Sequence, residues 1–320
     1  MSQERVISVI VPTYNRSKIV AETIRSLCQQ ELFPDVFEII IVDNNSIDDT
    51  HKIVKSIICS HPNHNIRYIF EPRQGDYFAR NRGAEEAYGK YLVFTDDDAL
   101  FDENYLSTIL HLFESYHEVG AVGTKIAIKW EGGTPAYWIK PYEYLLGALD
   151  YSPHGYLITT RGLHLNNGSL AIKRDLYIDV GGNNPGQIGD YLIGDAEAGL
   201  CRKLHFRRIP IAFTDETTMH HRQIVGKNDT ISDIKRRVEN NGIAEAYTDV
   251  LIKKIAQKRS VNKFKMLYMW YKLTCRERKA LKVYFELCKN IKYNEYIQRF
   301  QYDQQLISLV KSTTYQWRTT

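Results

Sequence analysis

Apolar runs of strand length alternate with apolar residues at helical spacing through the first part of the chain. The strand-like runs are residues 6–11, 37–42, 66–70 and 91–94. Between the first two runs, apolar positions recur every three or four residues at Val20, Ile24 and Leu27, which is typical of an amphipathic helix. Strands that alternate with helices and are apolar almost throughout predict an α/β fold with a mostly parallel central sheet, covered by helices on both faces.

The pattern loosens but continues to residue 222. Helices are predicted at residues 75–88 and 102–116, and strands at residues 120–130 and 207–213. Residues 131–165 are irregular and rich in aromatic residues, and a loop region of this length inside a compact domain is usually functional or mobile. Its aromatic side chains are expected either to stack on an acceptor or to pack beneath the loop. Beyond Gly226 the spacing of apolar residues is helical.

Polar residues follow three of the predicted strands. They are residues 12–16, residues 43–46, and the three aspartates Asp96, Asp97 and Asp98. Because ligands of such sheets bind outside the carboxyl ends of the strands, these clusters are expected to meet in one crevice.

The three consecutive aspartates repel one another unless a cation lies among them. Their oxygen ligands suit Mg²⁺ or Mn²⁺, with substrate phosphates completing the coordination. In an extended segment Asp96 and Asp98 face one side and Asp97 the other, so Asp96 and Asp98 are the expected working pair. The alternative is a solvated acidic turn that caps the following helix.

Composition narrows the class of protein. Of the 320 residues, 43% are hydrophobic and 25% are charged, as in a globular protein. No apolar run approaches the roughly 20 residues of a membrane-spanning helix, and the polar residues 1–5 lack the apolar core of a signal peptide. The sequence therefore predicts a cytoplasmic location. Five widely spaced cysteines without a Cys-x-x-Cys pair indicate neither zinc nor a disulfide framework.

The net charge of +4 is the sum of an acidic part and a basic part of the chain. Residues 227–320 contain 20 lysines and arginines against 9 acidic residues, whereas residues 1–226 contain 22 against 29. We therefore predict a domain boundary near residue 226, between an α/β domain at residues 1–226 and a basic helical region at residues 227–320.

Several motifs in this order resemble the family 2 glycosyltransferases of the GT-A fold. They are Val-Ile-Val-Pro-Thr-Tyr-Asn-Arg (9–16), Ile-Val-Asp-Asn-Asn-Ser-Ile-Asp-Asp-Thr (41–50), Ala-Arg-Asn-Arg-Gly (79–83), the Asp-x-Asp of residues 96–98, Val-Gly-Gly (180–182), Gly-Asp-Ala-Glu (194–197) and His-Arg (221–222). The motifs span about two thirds of the chain. Each is weak alone, and together in this order they are specific.

The resemblance implies a nucleotide-binding set and a metal-binding set. On the nucleotide side it implies roles for Pro12, Tyr14, Arg16, Asp43, Arg80, Asp96 and Asp97. Within this set Asp43 would accept hydrogen bonds from the base, Arg80 would approach the diphosphate as a planar donor fork, and Asp96 would face the ribose. The implied metal ligands are Asp98 and His221, and an imidazole ligand suits Mn²⁺ better than Mg²⁺. His220 is the rival of His221, because spacing alone does not separate adjacent histidines.

Asp195 is the candidate general base implied by the resemblance. A carboxylate within about 3 Å of the acceptor hydroxyl can take its proton, which is worth roughly 10²–10⁴ in rate. The family usually has Glu-Asp where this chain has Gly194-Asp195, so Glu197 stays as the alternative base. Asp195 can also serve as the N-cap of the following helix. Direct displacement inverts the anomeric configuration, and the absence of Gln-x-x-Arg-Trp predicts transfer of one sugar per encounter.

The expected partners are a nucleoside-diphosphate sugar, with UDP, dTDP or GDP as the nucleotide, and a glycan or lipid-linked glycan acceptor in bacterial-type polysaccharide or glycan synthesis. The basic region predicts peripheral contact with anionic lipid or formation of a homo-oligomer, against the alternative of a solvated helical face. Nucleic acid is not expected, because no recognised module accompanies the charge.

The sequence lacks the motifs of two rival enzyme classes. A nucleotidyltransferase needs a glycine- and arginine-rich opening loop, and a dinucleotide-dependent dehydrogenase needs Gly-x-Gly-x-x-Gly after the first strand. A non-catalytic sugar-nucleotide-binding subunit is the remaining alternative.

Overall fold

The structure is a computed structural model that describes residues 6–188, 191–255 and 257–312. Its strands are β1 (Ile7–Thr13), β2 (Phe37–Asp43), β3 (Ile66–Phe70), β4 (Tyr91–Thr95), β5 (Ala99–Phe101), β6 (Ala121–Glu131), β7 (Tyr156–Thr159), β8 (Ser169–Lys173), β9 (Gln187–Ile188), β10 (Tyr191–Leu192) and β11 (Ile211–Ile224). Its α-helices are α1 (Ser17–Leu27), α2 (Thr50–Ser60), α3 (Asp76–Glu86), α4 (Tyr105–Ser115), α5 (Arg174–Asp179), α6 (Ala196–Phe206), α7 (Ile231–Tyr247), α8 (Asn262–Leu273), α9 (Glu277–Tyr302) and α10 (Gln304–Ser312). A 3₁₀-helix spans Lys140–Leu146 and a π-helix spans Thr248–Ile252. Residues 1–5, whose polarity supports the predicted location, lie outside the described residues.

One large sheet organises the first 226 residues. Within the described ranges nine strands join it, in the order β3-β2-β1-β4-β8-β6-β11-β5, with β7 also paired to β11. Strands β1 to β4 run parallel to one another, and β6 runs parallel to β11. Strands β8, β5 and β7 run in the opposite direction. The predicted mostly parallel sheet is therefore confirmed.

Both faces of the sheet are buried, because alternate residues of each central strand point to opposite sides. Val9 and Val93 belong to a core under α1, α2 and α4, whereas Ile10 and Phe94 belong to a second core under α3, α5 and α6. This double burial explains why these strands are apolar almost throughout rather than alternating.

The last strand of the sheet is longer than predicted and starts later. The prediction of a strand at residues 207–213 was wrong at both ends, since α6 ends just before Arg207 and β11 extends from Ile211 to Ile224. The second half of β11 is polar and follows an irregularity between Thr214 and Thr218, so its sequence carries no apolar signal. The histidines and arginine at 220–222 consequently lie within a strand.

The C-terminal helices pack against the sheet-containing part through two apolar clusters. One joins Ile193 to Tyr247 and Phe300, and the other includes Leu146 and Phe285. Residues from both sides of position 226 thus share these cores, and the domain boundary at 226 stays a prediction. Of the helices within the described ranges, none combines the length and apolar character that crossing a bilayer requires.

Candidate functional site

A cavity of about 320 Å³ lies at the carboxyl ends of β1, β2 and β4, as the order of the strands predicts. Five residues predicted for the nucleotide side line it, namely Pro12, Tyr14, Arg16, Asp96 and Asp97. The structure therefore brings the polar ends of β1 and β4, which are about 80 residues apart in the chain, into one crevice.

Four further residues line the cavity: Thr13 and Asn44, which belong to the predicted polar segments 12–16 and 43–46 without an assigned role, and Gln74 and Asp76, which sequence reasoning missed. Asn44 follows Asp43 in the polar segment after β2, so the signal that marked Asp43 applies to it equally. Its amide oxygen accepts a hydrogen bond from the backbone N–H of Gly75 at 2.8 Å and so fixes the loop that leads into α3. Gln74 and Asp76 carry no signal of their own in the sequence.

Two arginines hold the three consecutive aspartates. Asp97 is buried and accepts hydrogen bonds from Thr13 Oγ1 at 2.7 Å and from Arg16 Nη1 at 2.8 Å. Asp98 accepts from the same Arg16 nitrogen at 2.7 Å, and Asp96 accepts from Arg80 Nη2 at 2.5 Å. Burial raises the pKa of Asp97 to about 6, against the lowering effect of the Arg16 charge.

Arg80 is buried beneath this group and holds it in place. Its side chain is 3% exposed, and its guanidinium also donates to Asp76 Oδ2 at 2.8 Å and to the carbonyl oxygens of Thr95 and Asn167 at 3.2 Å each. Arg80 therefore links α3, the end of β4 and the loop before β8. The predicted contact of Arg80 with a diphosphate stays a prediction.

Asp43 is also held by the protein. It is 1% exposed, and its two carboxylate oxygens accept from Tyr68 Oη at 2.6 Å and from the backbone N–H of Ser46 at 2.9 Å. It precedes Asn44, which lines the cavity, but Asp43 is not itself among the described lining residues, and its predicted role toward the base stays a prediction.

One cluster in the described residues has the geometry of a metal site. Asp96, Asp98 and His221 each offer a ligand atom, and these atoms lie within 4.8 Å of one another. His221 Nε2 is 3.1 Å from Asp98 Oδ1. The adjacent His220 instead has Nε2 at 2.9 Å from Asp102 Oδ1, outside the cluster.

The donor set of this cluster fits a divalent ion. Burial alone would raise the pKa of Asp98. The hydrogen bonds and charges of His221 and Arg16 outweigh this effect and hold that pKa below its ordinary value, which keeps the carboxylate ionised. Two carboxylates and one imidazole suit Mn²⁺ and, less well, Mg²⁺.

A second cavity, of about 450 Å³, shares Gln74 and Asp76 with the first. Asn167, Asn183 and Asn184 line it, and all three are at least 94% buried. Among the described residues, neither amide atom of Asn183 has a hydrogen-bond partner, and the same holds for the amide oxygens of the other two. Buried amides without partners are rare in proteins and point to a polar ligand or water.

The two candidate bases have different surroundings. Asp195 precedes α6, is 1% exposed, and accepts hydrogen bonds from Asn184 Nδ2 at 2.8 Å and from Arg202. Glu197, in the first turn of α6, is partly exposed, and Asn167 Nδ2 lies 3.4 Å from its Oε2. Burial raises the pKa of Glu197.

The structure explains why position 194 lacks the Glu that the resemblance leads one to expect. Gly194 has a φ of +65°, in the left-handed region that side chains rarely adopt, and a Cβ there would lie 2.7 Å from Ala244 Cβ of α7. The packing of α7 against this loop therefore leaves no room for a glutamate.

Comparisons with known proteins agree with this geometry. The model of the family described as Glycosyl transferase family 2 matches residues 8–179, more than half of the chain. Glucosyl-dolichyl phosphate glucuronosyltransferase of Haloferax volcanii is 25% identical over 210 residues, which cover 62% of this chain and 63% of that protein. An uncharacterized glycosyltransferase of Rickettsia conorii is 35% identical over 129 residues, which cover 38% of this chain and 20% of that protein. The match thus covers less than two thirds of the length of each of these relatives.

Solved structures share the fold. The mannosyltransferase PcManGT of Pyrobaculum calidifontis, in complex with GDP-Man and Mn²⁺, has a TM-score of 0.58 at 18% identity, covering 98% of this chain and 83% of that one. S. aureus TarS 1-349 in complex with UDP-GlcNAc has a TM-score of 0.52 at 15% identity, covering 93% of this chain and 92% of that one. At these identities the likeness shows the fold alone, and it confirms the predicted GT-A fold with C-terminal helices.

Proposed function

Because the chain belongs to glycosyl transferase family 2, we propose that it moves one sugar from a nucleoside-diphosphate sugar to an acceptor hydroxyl, with inversion at the anomeric carbon. The observation that carries the proposal is the cluster of Asp96, Asp98 and His221 beside a cavity formed by strand ends. A nucleoside diphosphate would use such a pairing of a largely polar pocket, which also contains Pro12 and Tyr14, with a site for a cation.

Asp98 and His221 would hold the divalent ion, Mn²⁺ or Mg²⁺, with Asp96 beside them. When bound, such an ion neutralises charge on the departing diphosphate. Arg16 supports the same step, because its guanidinium is 46% exposed and lies against Asp97 and Asp98. A planar donor fork at this position suits phosphate oxygens.

The nucleoside would occupy the 320 Å³ cavity, between Pro12 and Tyr14 on one side and the end of β2 on the other. For Asp43 to accept a hydrogen bond from the base, it would exchange one of its present donors, Tyr68 or Ser46. The sugar would lie in the adjoining 450 Å³ cavity, where the amides of Asn167, Asn183 and Asn184 face hydroxyl groups that both donate and accept.

The base would be Asp195, with Glu197 as the alternative. Asp195 needs the acceptor to displace a present partner, since Arg202 and Asn184 both donate to its carboxylate. Glu197 is already partly exposed, so an acceptor would reach it without displacing a charged partner, and burial raises the pKa of its carboxyl. Variants of the two residues separate these assignments.

The acceptor would be a glycan or a glycan carried on a lipid phosphate, in polysaccharide or glycan synthesis. This proposal follows the names of relatives, one acting on glucosyl-dolichyl phosphate and one, from Campylobacter jejuni, on GalNAc(5)-diNAcBac-PP-undecaprenol. Such acceptors would bring the protein to the inner face of the membrane as a peripheral protein. The basic C-terminal region would then contact the membrane or a second copy of the chain.

A binding experiment tests the nucleotide and metal sites. Thermal unfolding is followed with UDP, dTDP or GDP, each with and without Mn²⁺. We expect one diphosphate to stabilise the protein, by about 2.7 kcal/mol when its concentration is 100 times its Kd. Asp98→Ala should abolish the effect of Mn²⁺, and so should His221→Asn. The matched neighbour His220→Asn should retain it, and equal loss in both histidine variants would contradict the assignment.

A turnover experiment tests the transfer itself. A panel of sugar nucleotides is incubated with Mn²⁺ and acceptor extracts, and release of nucleoside diphosphate is measured. The proposed base is identified by Asp195→Asn and Glu197→Gln, since the variant that loses the base should lose turnover by about 10²–10⁴ while keeping nucleotide binding. The alternative function, a non-catalytic sugar-nucleotide-binding subunit, is favoured by the present engagement of Asp195. It predicts nucleotide binding without turnover on any acceptor.

A further inference from the structure

Helix α8 is apolar on two opposite faces, and the protein covers only one of them. Phe264, Leu267, Tyr268 and Tyr271 are partly buried on the covered face, where the Tyr268 ring lies 5.7 Å from that of Tyr284 of α9. None of the residues of α8 is fully buried. The helix therefore rests on the surface of the protein.

The opposite face of α8 presents a continuous apolar surface. Met266, Met269, Trp270 and Leu273, here called the α8 stripe, are 68%, 57%, 48% and 84% exposed. Their spacing of three, four and seven residues places them on one side of the helix. Contiguous exposed apolar surface of this kind marks a site of interaction with a protein or a membrane.

Positive charge borders the α8 stripe. Lys263, Lys265 and Lys272 lie on the same helix, which contains no acidic residue, although Lys272 pairs with Glu277 of α9 at 2.9 Å. The Arg276 guanidinium lies 5.1 Å from the centre of the Trp270 ring. The surface is therefore apolar in its middle and cationic around its edge.

We propose that the α8 stripe docks on the surface of an anionic lipid bilayer, with its apolar side chains at the level of the headgroups and its lysines toward lipid phosphates. Trp, Met and Leu flanked by lysines match the composition of helices that lie in the membrane interface. A second copy of the chain fits less well, because a symmetric contact would set the lysines of α8 against themselves.

This inference rests on the peripheral location in the proposed function and names the surface responsible. Its test is independent of catalysis, because it uses neither donor nor metal. Vesicle binding can fail while the nucleoside diphosphate still stabilises the protein, and the reverse outcome is equally visible.

The experiment is flotation of the full chain with vesicles of phosphatidylcholine alone or with phosphatidylglycerol added. We expect binding to the anionic vesicles that weakens with salt, and little binding to the neutral ones. Lys263→Gln with Lys265→Gln should weaken binding about 25-fold, since each basic residue near an anionic surface contributes about fivefold.

The decisive variant replaces all four residues of the α8 stripe by serine. Because each is at least 48% exposed, the fold should persist, and thermal unfolding checks this. The matched control is Phe33→Ser with Phe206→Ser, two apolar residues that are 76% and 91% exposed elsewhere on the surface. The stripe variant should lose binding to anionic vesicles, and the control should bind as the unchanged protein does.

Two results would overturn the inference. One is that the stripe variant binds anionic vesicles as strongly as the unchanged protein does, or that the unchanged protein does not bind them. The other is a dimer, seen by sedimentation without lipid, that the stripe variant converts to a monomer, because the stripe would then serve a second copy of the chain.

Discussion

The sharpest stability prediction concerns Arg80→Met, which removes the buried guanidinium beneath the acidic cluster. Arg80 is 3% exposed and donates to two carboxylates, those of Asp76 and Asp96, and to two backbone carbonyls. Methionine has nearly the same helix propensity as arginine and a comparable unbranched stem. The change therefore removes the charge and its hydrogen bonds with little effect on α3 itself.

The expected loss follows from the exposure of the partners. Removing one member of a buried ion pair typically costs about 3–5 kcal/mol. The carboxylates of Asp76 and Asp96 are 57% and 30% exposed, so both regain water and the cost falls at the lower end. We expect a loss of about 3 kcal/mol, or about 150-fold in the equilibrium constant for unfolding.

Arg82→Met is the matched control on the same helix. Arg82 also pairs with a carboxylate four residues ahead, Glu86, at 2.7 Å, but its side chain is 40% exposed. Exposed pairs of this spacing contribute about 0.3–0.5 kcal/mol. The two variants therefore share residue type and helix, and they differ in burial and in the number of partners, since, among the described residues, Arg80 pairs with two carboxylates and Arg82 with one.

Urea denaturation is followed by circular dichroism, and the curves of all variants are fitted with one m-value, which gives the difference in the free energy of unfolding. A loss below about 1 kcal/mol for Arg80→Met, or equal losses for the two variants, would refute the argument from burial.

Two further predictions address the metal cluster and the thiols. Gly168→Ala places a Cβ 2.8 Å from Met219 Cε and 2.9 Å from Asp96 Oδ2, and it should weaken Mn²⁺ binding about tenfold in titration calorimetry by displacing that carboxylate. Gly186→Ala, whose Cβ would meet nothing closer than 3.9 Å, should bind Mn²⁺ as before. Burial raises the pKa of Cys28 to about 11, so its alkylation at pH 8 should lag far behind that of the exposed Cys59 and should rise about tenfold per pH unit toward that pKa. Peptide mass spectrometry after iodoacetamide treatment measures both rates, and equal labelling at pH 8 would contradict the prediction.

The sequence predicts the first four strands well because β1, β2 and β4 are buried along their whole length, and the edge strand β3 still carries a short apolar run. The predicted start of β2 at residue 37 and the bounds of β3 at residues 66–70 agree with the structure. It does not predict β5, which has three residues and directly follows the acidic cluster. A strand this short has no periodicity of its own, and its pairing with β11, more than 100 residues later, decides its conformation.

The candidate site is predictable where it depends on topology and unpredictable where it depends on packing. Parallel strands must end at the same edge, so the polar ends of β1, β2 and β4 had to meet. The partners of a carboxylate depend instead on which helices cover it. Asp195 owes its burial to α6 and α7, through Arg202 and the contact of Gly194 with Ala244. No spacing along the chain encodes that contact.

The pairing register of β11 bears on which of the two histidines, His220 or His221, lies beside the acidic cluster. In the antiparallel pairing of β11 with β5, His221 is opposite Ala99 and His220 is opposite Leu100. Asp98 lies in the turn immediately before Ala99, and its carbonyl oxygen accepts a hydrogen bond from the backbone N–H of Arg222. This register brings the acidic turn beside His221, whose Nε2 is 3.1 Å from Asp98 Oδ1. The irregularity between residues 214 and 218 shifts the pairing of β11 with β6, so alternation counted from the start of β11 does not give the face of either histidine. Because adjacent residues of a strand point to opposite faces, a slip of one residue would exchange the two histidines. The proposed metal site therefore depends on the register of β11 as well as on the ligands themselves.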